Sequence, residues 1–414
     1  MPALSLSRVG ARVVESGVDG VGLPAGAWQR LEGLPDPRSP QGRVYPLACL
    51  VAVAVCAFTA AGHDRLTAVG QWVKRASQAD LARLRAPFDP MAGRYRAPDE
   101  KTIRVVLDRL DPRALARALL GQRRDRRPRP RGSASSGVRD YPARRDKAQD
   151  RAAARSRLVG LAVDGKTSRG ARRADRSRVH LLGVCGHDGQ FLDQLEVGVK
   201  HNETTYFQEL LASLELTGQV VTFDALHTVR SNLDWLMTEK KAHYVAVVKK
   251  NQPLLYARLK ALPWAKIPTG ATAGETGHGR EETRTLKAAH VQGLGLPHAQ
   301  QAIRITRRRR EITTGKASRE TVYAVATLTA ADAGPHDLAR LAREHWTVEA
   351  NHHVRDVSFT EDHASSRTGH GPVNLATIRN AVINAIRSAG YLHIPEGRRD
   401  HTAPTDALHL HGLL

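Results

Sequence analysis

A mixed α/β domain behind a small all-helical one is the fold class the sequence predicts, and three observations predict it. Apolar residues recur at helical spacing through residues 1–121. That periodicity vanishes over an Arg-, Pro-, Ser- and Gly-rich stretch at 122–157. From residue 158 the pattern switches to short apolar runs bounded by turn residues, with helical stretches between the later ones.

In the first part, Val44–Gly62 (VYPLACLVAVAVCAFTAAG) carries no charge. Its length approaches the roughly 20 residues of a membrane span. It is rich in alanine and has no companion segment, so it reads as a buried core helix, with no membrane partner. Leu66–Arg85 continues at roughly helical spacing. Pro98-Asp99-Glu100-Lys101 is a helix start with acids in the first turn, and the helix runs to Leu110. Asp111-Pro112 breaks it, and Pro112 suits the first turn of the next, Arg113–Leu120. A compact bundle results. As a helix-turn-helix it would present Lys101, Arg104 and Arg109 to DNA; as plain packing it would not.

Residues 122–157 read as a basic flexible linker. Leu158–Asp164, Val179–Cys185 and Phe191–Val199 are strand-like, the last two joined by a Gly- and Asp-containing turn. Tyr206–Leu216 is an amphipathic helix, Gln219–Phe223 a strand ending at Asp224, Val229–Lys241 a helix and His243–Lys249 a strand. Strands that precede the first helix exclude a regular βαβ repeat. They predict an antiparallel meander leading a mixed sheet. Residues 254–335 read as a β-rich insertion, with strands at Ile303–Arg310 and Glu320–Thr327 and a turn-rich Gly274–Gly279. Residues 336–360 and Asn374–Ala389 return to helix, which closes a domain at 158–390. Residues 391–414 read as a loose polar tail.

Lys and Arg number 63 against 41 Asp and Glu, a formal charge of +22. Such a balance points to a polyanionic partner, nucleic acid first, and away from small neutral substrates. With 41% apolar residues, wholesale disorder is excluded. The cysteines Cys49, Cys56 and Cys185 are too few for a disulfide framework or a four-cysteine zinc site. That usage suits a reducing, cytoplasmic compartment, and the first residues lack the pattern of a signal peptide.

Asp164 and Asp224 each stand at the end of an apolar strand, where side chains converge on a cleft. Two such carboxylates and a third from a helix can hold two Mg²⁺ ions about 4 Å apart, the arrangement that drives phosphodiester chemistry. A rival motif overlaps them: Gly160–Thr167 fits the GxxxxGK[ST] pattern of a P-loop, which would make the chain a nucleic-acid ATPase. The interval between its glycines holds Leu161-Ala162-Val163, a strand interior, and no apolar helix follows Thr167, so the context test fails.

The segments AVDGKTSRG, TFDALHT, AHYVAVVKKNQP, REHWTVEANHHVRDVSFTEDHASSRTG and NLATIRNAVINAIR resemble the DDE-type insertion-sequence transposases, in the branch that includes the H-repeat-associated proteins. The opening LPDPR…GRVYPLACLVAV extends the resemblance to residues 30–120. It implies a ribonuclease-H-like catalytic domain that cleaves DNA at the ends of an insertion sequence and joins them to target DNA. It implies two Mg²⁺ (or Mn²⁺) ions as cofactors, a homodimer that synapses two ends, and a nucleoid-associated protein of bacterial type. The catalytic and metal-holding acids would be Asp164, Asp224 and Glu349. Relatives often carry Tyr and Arg before that Glu and Lys seven residues after it; Ala342, His345 and Asp356 occupy those places. Asp356, two helical turns on, is therefore the second choice for the third acid, and Glu361 and Asp362 follow. A catalytically inactive, DNA-binding descendant would share every one of these motifs.

Lys166, Lys249, Lys250, Asn251 and Gln252 lie near strand ends and suit DNA-backbone contacts. His345, His352 and His353 surround Glu349. A phosphate contact through His345, or support of the carboxylates, suits them better than a zinc site.

Overall fold

The computed structural model describes residues 26–120, 158–198, 203–277 and 279–413. The linker expected at 122–157 lies outside the described residues. Helices α1 (Ala27–Glu32), α2 (Leu47–Thr59), α3 (Leu66–Arg75) and α4 (Gln78–Arg83) come first. A two-stranded ribbon, β1 (Phe88–Asp89) and β2 (Arg94–Tyr95), then leads to α5 (Glu100–Arg109) and α6 (Pro112–Leu119). The caps follow the sequence reading. Asp99 accepts from the Thr102 amide and Asp111 from the Ala114 amide, each at 2.7 Å. The expected helix over Leu66–Arg85 is divided at Ser77, whose hydroxyl and the Asp80 carboxylate form a capping box.

Every residue of α2 is buried, as a helix that is apolar all round must be. No helix among the described residues is long and apolar enough to cross a membrane. Cys49, Cys56 and Cys185 are buried free thiols.

The large sheet has nine strands in the order β5-β4-β3-β6-β7-β11-β10-β9-β8. β3 (Gly160–Arg172), β4 (Arg178–Gly186) and β5 (Phe191–Val197) form the antiparallel meander. β6 (Val220–Phe223) joins β3 in parallel, and β7 (His243–Val248) joins β6 in parallel. α7 (Glu203–Ala212) and α8 (Arg230–Thr238) connect them. An antiparallel trio followed by parallel strands on the first one's free edge is the ribonuclease-H-like arrangement. α9 (Pro253–Ala261) then introduces the insertion: β8 (Ala271–Gly277), β9 (Arg280–His290), β10 (Gln301–Glu311) and β11 (Ala317–Ala326), which extend the same sheet. The turn-rich segment expected at Gly274–Gly279 is instead mostly the end of strand β8. After it come α10 (Pro335–Glu344), α11 (Trp346–Ser358), a 3₁₀ turn (Glu361–His363) and α12 (Gly371–Ser388).

β3 continues well past the expected end at Asp164, through Lys166-Thr167-Ser168-Arg169-Gly170 to Arg172. That outer half is polar, and side chains distant in sequence hold it. Ser168 donates to Glu361 (3.1 Å), and the Arg169 amide donates to Asp362 (2.9 Å). A Cβ at Gly170 would lie 2.5 Å from the Asp362 carbonyl oxygen, so only glycine admits this approach. A strand through Lys166 and Thr167 also removes the P-loop, which needs a helix there.

Two further expectations are corrected. Residues 391–414 are not a loose tail: α13 (Ile394–Asp400) and α14 (Pro404–Leu410) dock on the helical layer, with Leu408 and His411 buried. Arg398 ties α13 to the end of α2 through Asp64 (2.6 Å) and the Ala60 carbonyl (2.8 Å). The helical part is also not set apart from the sheet. α6 packs on α12 and β5, and Asn374 of α12 donates to the carbonyls of Leu107 and Leu110 at the α5–α6 joint (2.7 and 2.8 Å). One apolar core runs through α2, α5, α6, α12 and α14.

A candidate active site at the ends of two parallel strands

Val163 and Phe223 are direct partners in the β3–β6 ladder. Asp164, midway along β3, and Asp224, just past the end of β6, are therefore neighbours. The loop after Phe223 is built to hold Asp224: its carboxylate accepts from the Leu226 amide (2.9 Å), and Thr228 donates to the Val247 carbonyl (2.8 Å).

α11 brings the third acid. His345, at its start, sits over Thr222; further along, His352 Nδ1 lies 3.4 Å from Asp164 Oδ2. One turn later Asp356 takes the Lys166 ammonium on both oxygens at 2.7 Å. Four helical residues and two strand residues cover about the same 6 Å, so the helix runs along β3 in register. Glu349 lies between His345 and His352, above the ends of β3 and β6. Its residue surface is open. Nevertheless the protein mass around its carboxyl group, then the charges of Asp164 and Asp224, hold its pKa above the usual range against the pull of Lys249 and Arg307. The structure thus brings Asp164, Asp224 and Glu349 together as mutually repelling neighbours. Among the described residues, no cluster of three or more His, Cys, Asp or Glu side chains is arranged to hold a metal ion; that includes both the trio Asp164, Asp224 and Glu349 and the zinc grouping of His345, His352 and His353.

Several residues proposed from sequence as DNA contacts have other partners. Lys166 is 7% exposed and engaged by Asp356, so it braces β3 against α11 instead of meeting a phosphate. The same ion pair commits Asp356, the second choice for third acid, to Lys166 on β3. Asn251 and Gln252 donate their amides to the carbonyls of Ala225 and Thr228, supporting the loop that carries Asp224. His345 is turned inward: Thr222 gives its own proton to the Leu161 carbonyl (3.0 Å), so its hydroxyl accepts from His345 Nδ1 (3.0 Å) and His187 Nε2 (3.1 Å). Burial lowers the His345 pKa. Lys249 and Lys250 are exposed, and Lys249 Nζ lies 3.8 Å from Asp224.

The site also rests on Glu361, a weaker sequence candidate for the third acid that ion pairs instead hold as a structural group, and on Glu203, which the sequence did not mark. Glu361 is buried and doubly bonded to Arg355 (2.7 and 2.6 Å), with Arg379 at 3.4 Å. Burial opposes its charge, but the two guanidinium groups prevail and its pKa falls to about 2. Beneath Asp164, a Cβ on Gly165 would lie 2.6 Å from the Glu203 carboxylate, which bonds His180 (2.6 Å) and His227 (3.1 Å). Burial raises the Glu203 pKa, yet the two imidazoles outweigh it and bring it to about 2. Only the acid-rich composition of the TEDH segment hinted at the first cluster; nothing local in the sequence marks the second.

The family model described as "Transposase DDE domain" matches residues 155–385, and its companion, described as "DDE_Tnp_1-associated", matches 28–121. YncI of Escherichia coli O157:H7, provisionally named a transposase, is 26% identical over 249 residues, covering 55% of this chain and 61% of YncI. The K12 protein of that name is 30% identical over 143 residues, 32% of this chain and 56% of the relative. The chain therefore spans about three-fifths of the length of these relatives. The H repeat-associated protein YhhI of E. coli K12, also provisionally named a transposase, is 24% identical over 61% of this chain and 71% of its own. A solved piggyBac transposase synaptic complex with hairpin DNA shows a faint likeness: TM-score 0.37 and 13% identity, over 89% of this chain and 82% of that one.

Proposed function

The chain belongs to the family of transposases with a DDE domain, and from that premise we propose that it cleaves DNA at the ends of an insertion sequence and transfers the freed 3′ ends to target DNA. The observation that carries the reading is the placement of Asp164 and Asp224 on adjacent parallel strands with Glu349 above both. Burial and the charges of Asp164 and Asp224 raise the proton affinity of Glu349, and on a chain of +22 such a gathering of acids calls for cations. An all-oxygen donor set suits Mg²⁺ or Mn²⁺. Asp164, Asp224 and Glu349 would hold two such ions. Ions held by those carboxylates would supply activation of the attacking oxygen and stabilisation of the leaving one.

The chain's own residues do the rest. His352 and the Lys166–Asp356 pair fix α11 along β3, which sets the height of Glu349 over the two aspartates. Asn251 and Gln252 hold the Asp224 loop. Exposed Lys249 and Lys250 flank Asp224 and suit the phosphates on either side of the cut. Synapsis of two ends calls for a homodimer acting in the cytoplasm on nucleoid DNA.

The test is Mg²⁺-dependent cleavage of a duplex carrying the matched terminal repeat. Asp164→Asn and Asp224→Asn should abolish nicking while DNA binding, read by mobility shift, persists. Retained cleavage in either variant refutes the assignment. Binding without cleavage by the unaltered chain would instead identify an inactive descendant.

A further inference from the structure

The β10–β11 hairpin leaves the sheet at the catalytic edge. β7 and β10 are both antiparallel to β11, so they run the same way. Phe223 pairs with Ala246, Ala246 with Val325 and Val325 with Ala302, so Asp224 is level with Ile303. Arg308 and Arg310 stand five and seven residues beyond Ile303 on β10. At about 3.4 Å per residue they lie roughly 17–24 Å past the level of the acids.

The two faces of this arm differ. On the face towards α10 and α11, acids match the arginines: Arg307 with Glu320 (2.8 Å), Arg309 with Glu282 (2.7 Å) and Arg343 with Glu275 (2.8 Å). The base of the other face is covered, with Arg304 stacked on Trp264 and Lys287 bonded to the Trp264 carbonyl. Its outer half is bare. Arg308 and Arg319 face each other directly across the strands, and among the described residues neither has a carboxylate partner. Arg310 has only Glu281, at 4.0 Å. These side chains line an open concavity of about 370 Å³. Like charges directly opposite one another destabilise a sheet, so the bare pair works against the fold.

We infer that this face is a DNA arm, in which Arg308, Arg310 and Arg319 hold backbone phosphates of the duplex flanking the cut. The inference rests on the DNA-cleaving reading and adds a position to it. Phosphates succeed one another by about 3.4 Å along each strand, so on a duplex running along the arm the contacts fall about five to seven base pairs from the scissile phosphate.

The experiment compares the unaltered full chain with Arg308→Ala/Arg319→Ala and with Arg309→Ala from the acid-matched face. The probe is a duplex with the matched terminal repeat, titrated over a range of salt, with ethylation interference to locate phosphate contacts. Loss of two contacts should lower the slope of log K against log salt by about 1.8 and weaken binding about 30-fold near 0.15 M salt. Interference about five base pairs from the cut should vanish while that about seven away, from the retained Arg310, persists, and thermal stability should hold or rise. Arg309→Ala should leave the salt slope unchanged. An unchanged slope and interference pattern in the double variant overturns the arm, as does an unaltered chain that does not bind DNA. Loss of affinity for phosphatidylserine vesicles with DNA affinity intact would also overturn it, in favour of a membrane surface. Metal-dependent cleavage is scored separately: its absence counts against the catalytic reading, while the salt slope still decides the arm.

Discussion

Replacing Glu361 and Glu349 one at a time by glutamine should give opposite results, although both are acids on or beside α11. Glu361 carries its charge 3% exposed between Arg355 and Arg379. Its pKa of about 2, against an ordinary 4.5, corresponds to about 3 kcal/mol of stabilisation at neutral pH. Glu361→Gln would also strand two buried cations, a defect that costs roughly 3–5 kcal/mol. Arg379 already has Nε and Nη2 without partners among the described residues, so it has no second acceptor to turn to. Because the folded pKa is depressed, the wild-type advantage is complete above about pH 4.5 and disappears as pH falls towards 2. Glu349 is the reverse case. Its pKa is raised, so its charge works against the fold once ionised, and Glu349→Gln should cost no stability at neutral pH while abolishing cleavage. Urea unfolding at pH 7 and pH 4, followed by tryptophan fluorescence and far-UV circular dichroism, measures both. A loss below about 1 kcal/mol for Glu361→Gln, or a large loss for Glu349→Gln, refutes the division into a structural and a catalytic glutamate.

Glu203→Gln should lower stability at pH 7 by about 1–3 kcal/mol, since two imidazole hydrogen bonds to a charged group are weakened. The depressed pKa of Glu203 places that contribution above about pH 4.5, with loss as pH falls towards 2, so a gap between variant and wild type that does not narrow on acidification contradicts the account. Leu408→Ala removes a side chain that is 0% exposed from the docked C-terminal helix and should cost about 2–5 kcal/mol in the same unfolding assay; a neutral result would mean α14 does not pack on α2.

The sequence made elements legible wherever the cause was local. The apolar all-round pattern of Val44–Gly62 gave the buried helix α2, Asp99 and Asp111 marked two helix starts, and the short run ending at Asp164 gave the inner half of β3. The outer half of β3 escaped because its polar residues become strand only through partners nearly two hundred positions away, Glu361 and Asp362. The tail escaped for a similar reason: Leu408 and His411 find apolar surroundings and the Thr59 hydroxyl (2.8 Å) only after α2 is in place. Among the candidate site residues, the strand ends suggested the two aspartates and the resemblance suggested Glu349. Lys166, Asn251, Gln252 and His345 were misjudged because a polar residue at a strand end looks the same whether it faces a phosphate or a carbonyl. Only the fold tells those apart.

The same contrast explains how a chain of +22 can keep three acids together. Arginine and lysine are used in two ways that composition does not separate. Where the position of a carboxylate must be fixed, the cation is buried and matched: Arg355 and Arg379 to Glu361, Lys166 to Asp356. Removing such a cation would move α11, and Glu349 with it. Where the proposed reading has a phosphate to be met, the cation is exposed and unmatched among the described residues, as at Lys250, Arg308 and Arg319. The acids of the cleft fall between these cases: they are partly open to solvent, and Lys249 at 3.8 Å from Asp224 offsets their repulsion only in part. If the site were simply another structural ion-pair network, a buried cation would complete it, as happens at Glu361 less than fifteen residues away. On the proposed reading, the incomplete compensation at Glu349 is what separates the candidate cation site from the ion pairs around it.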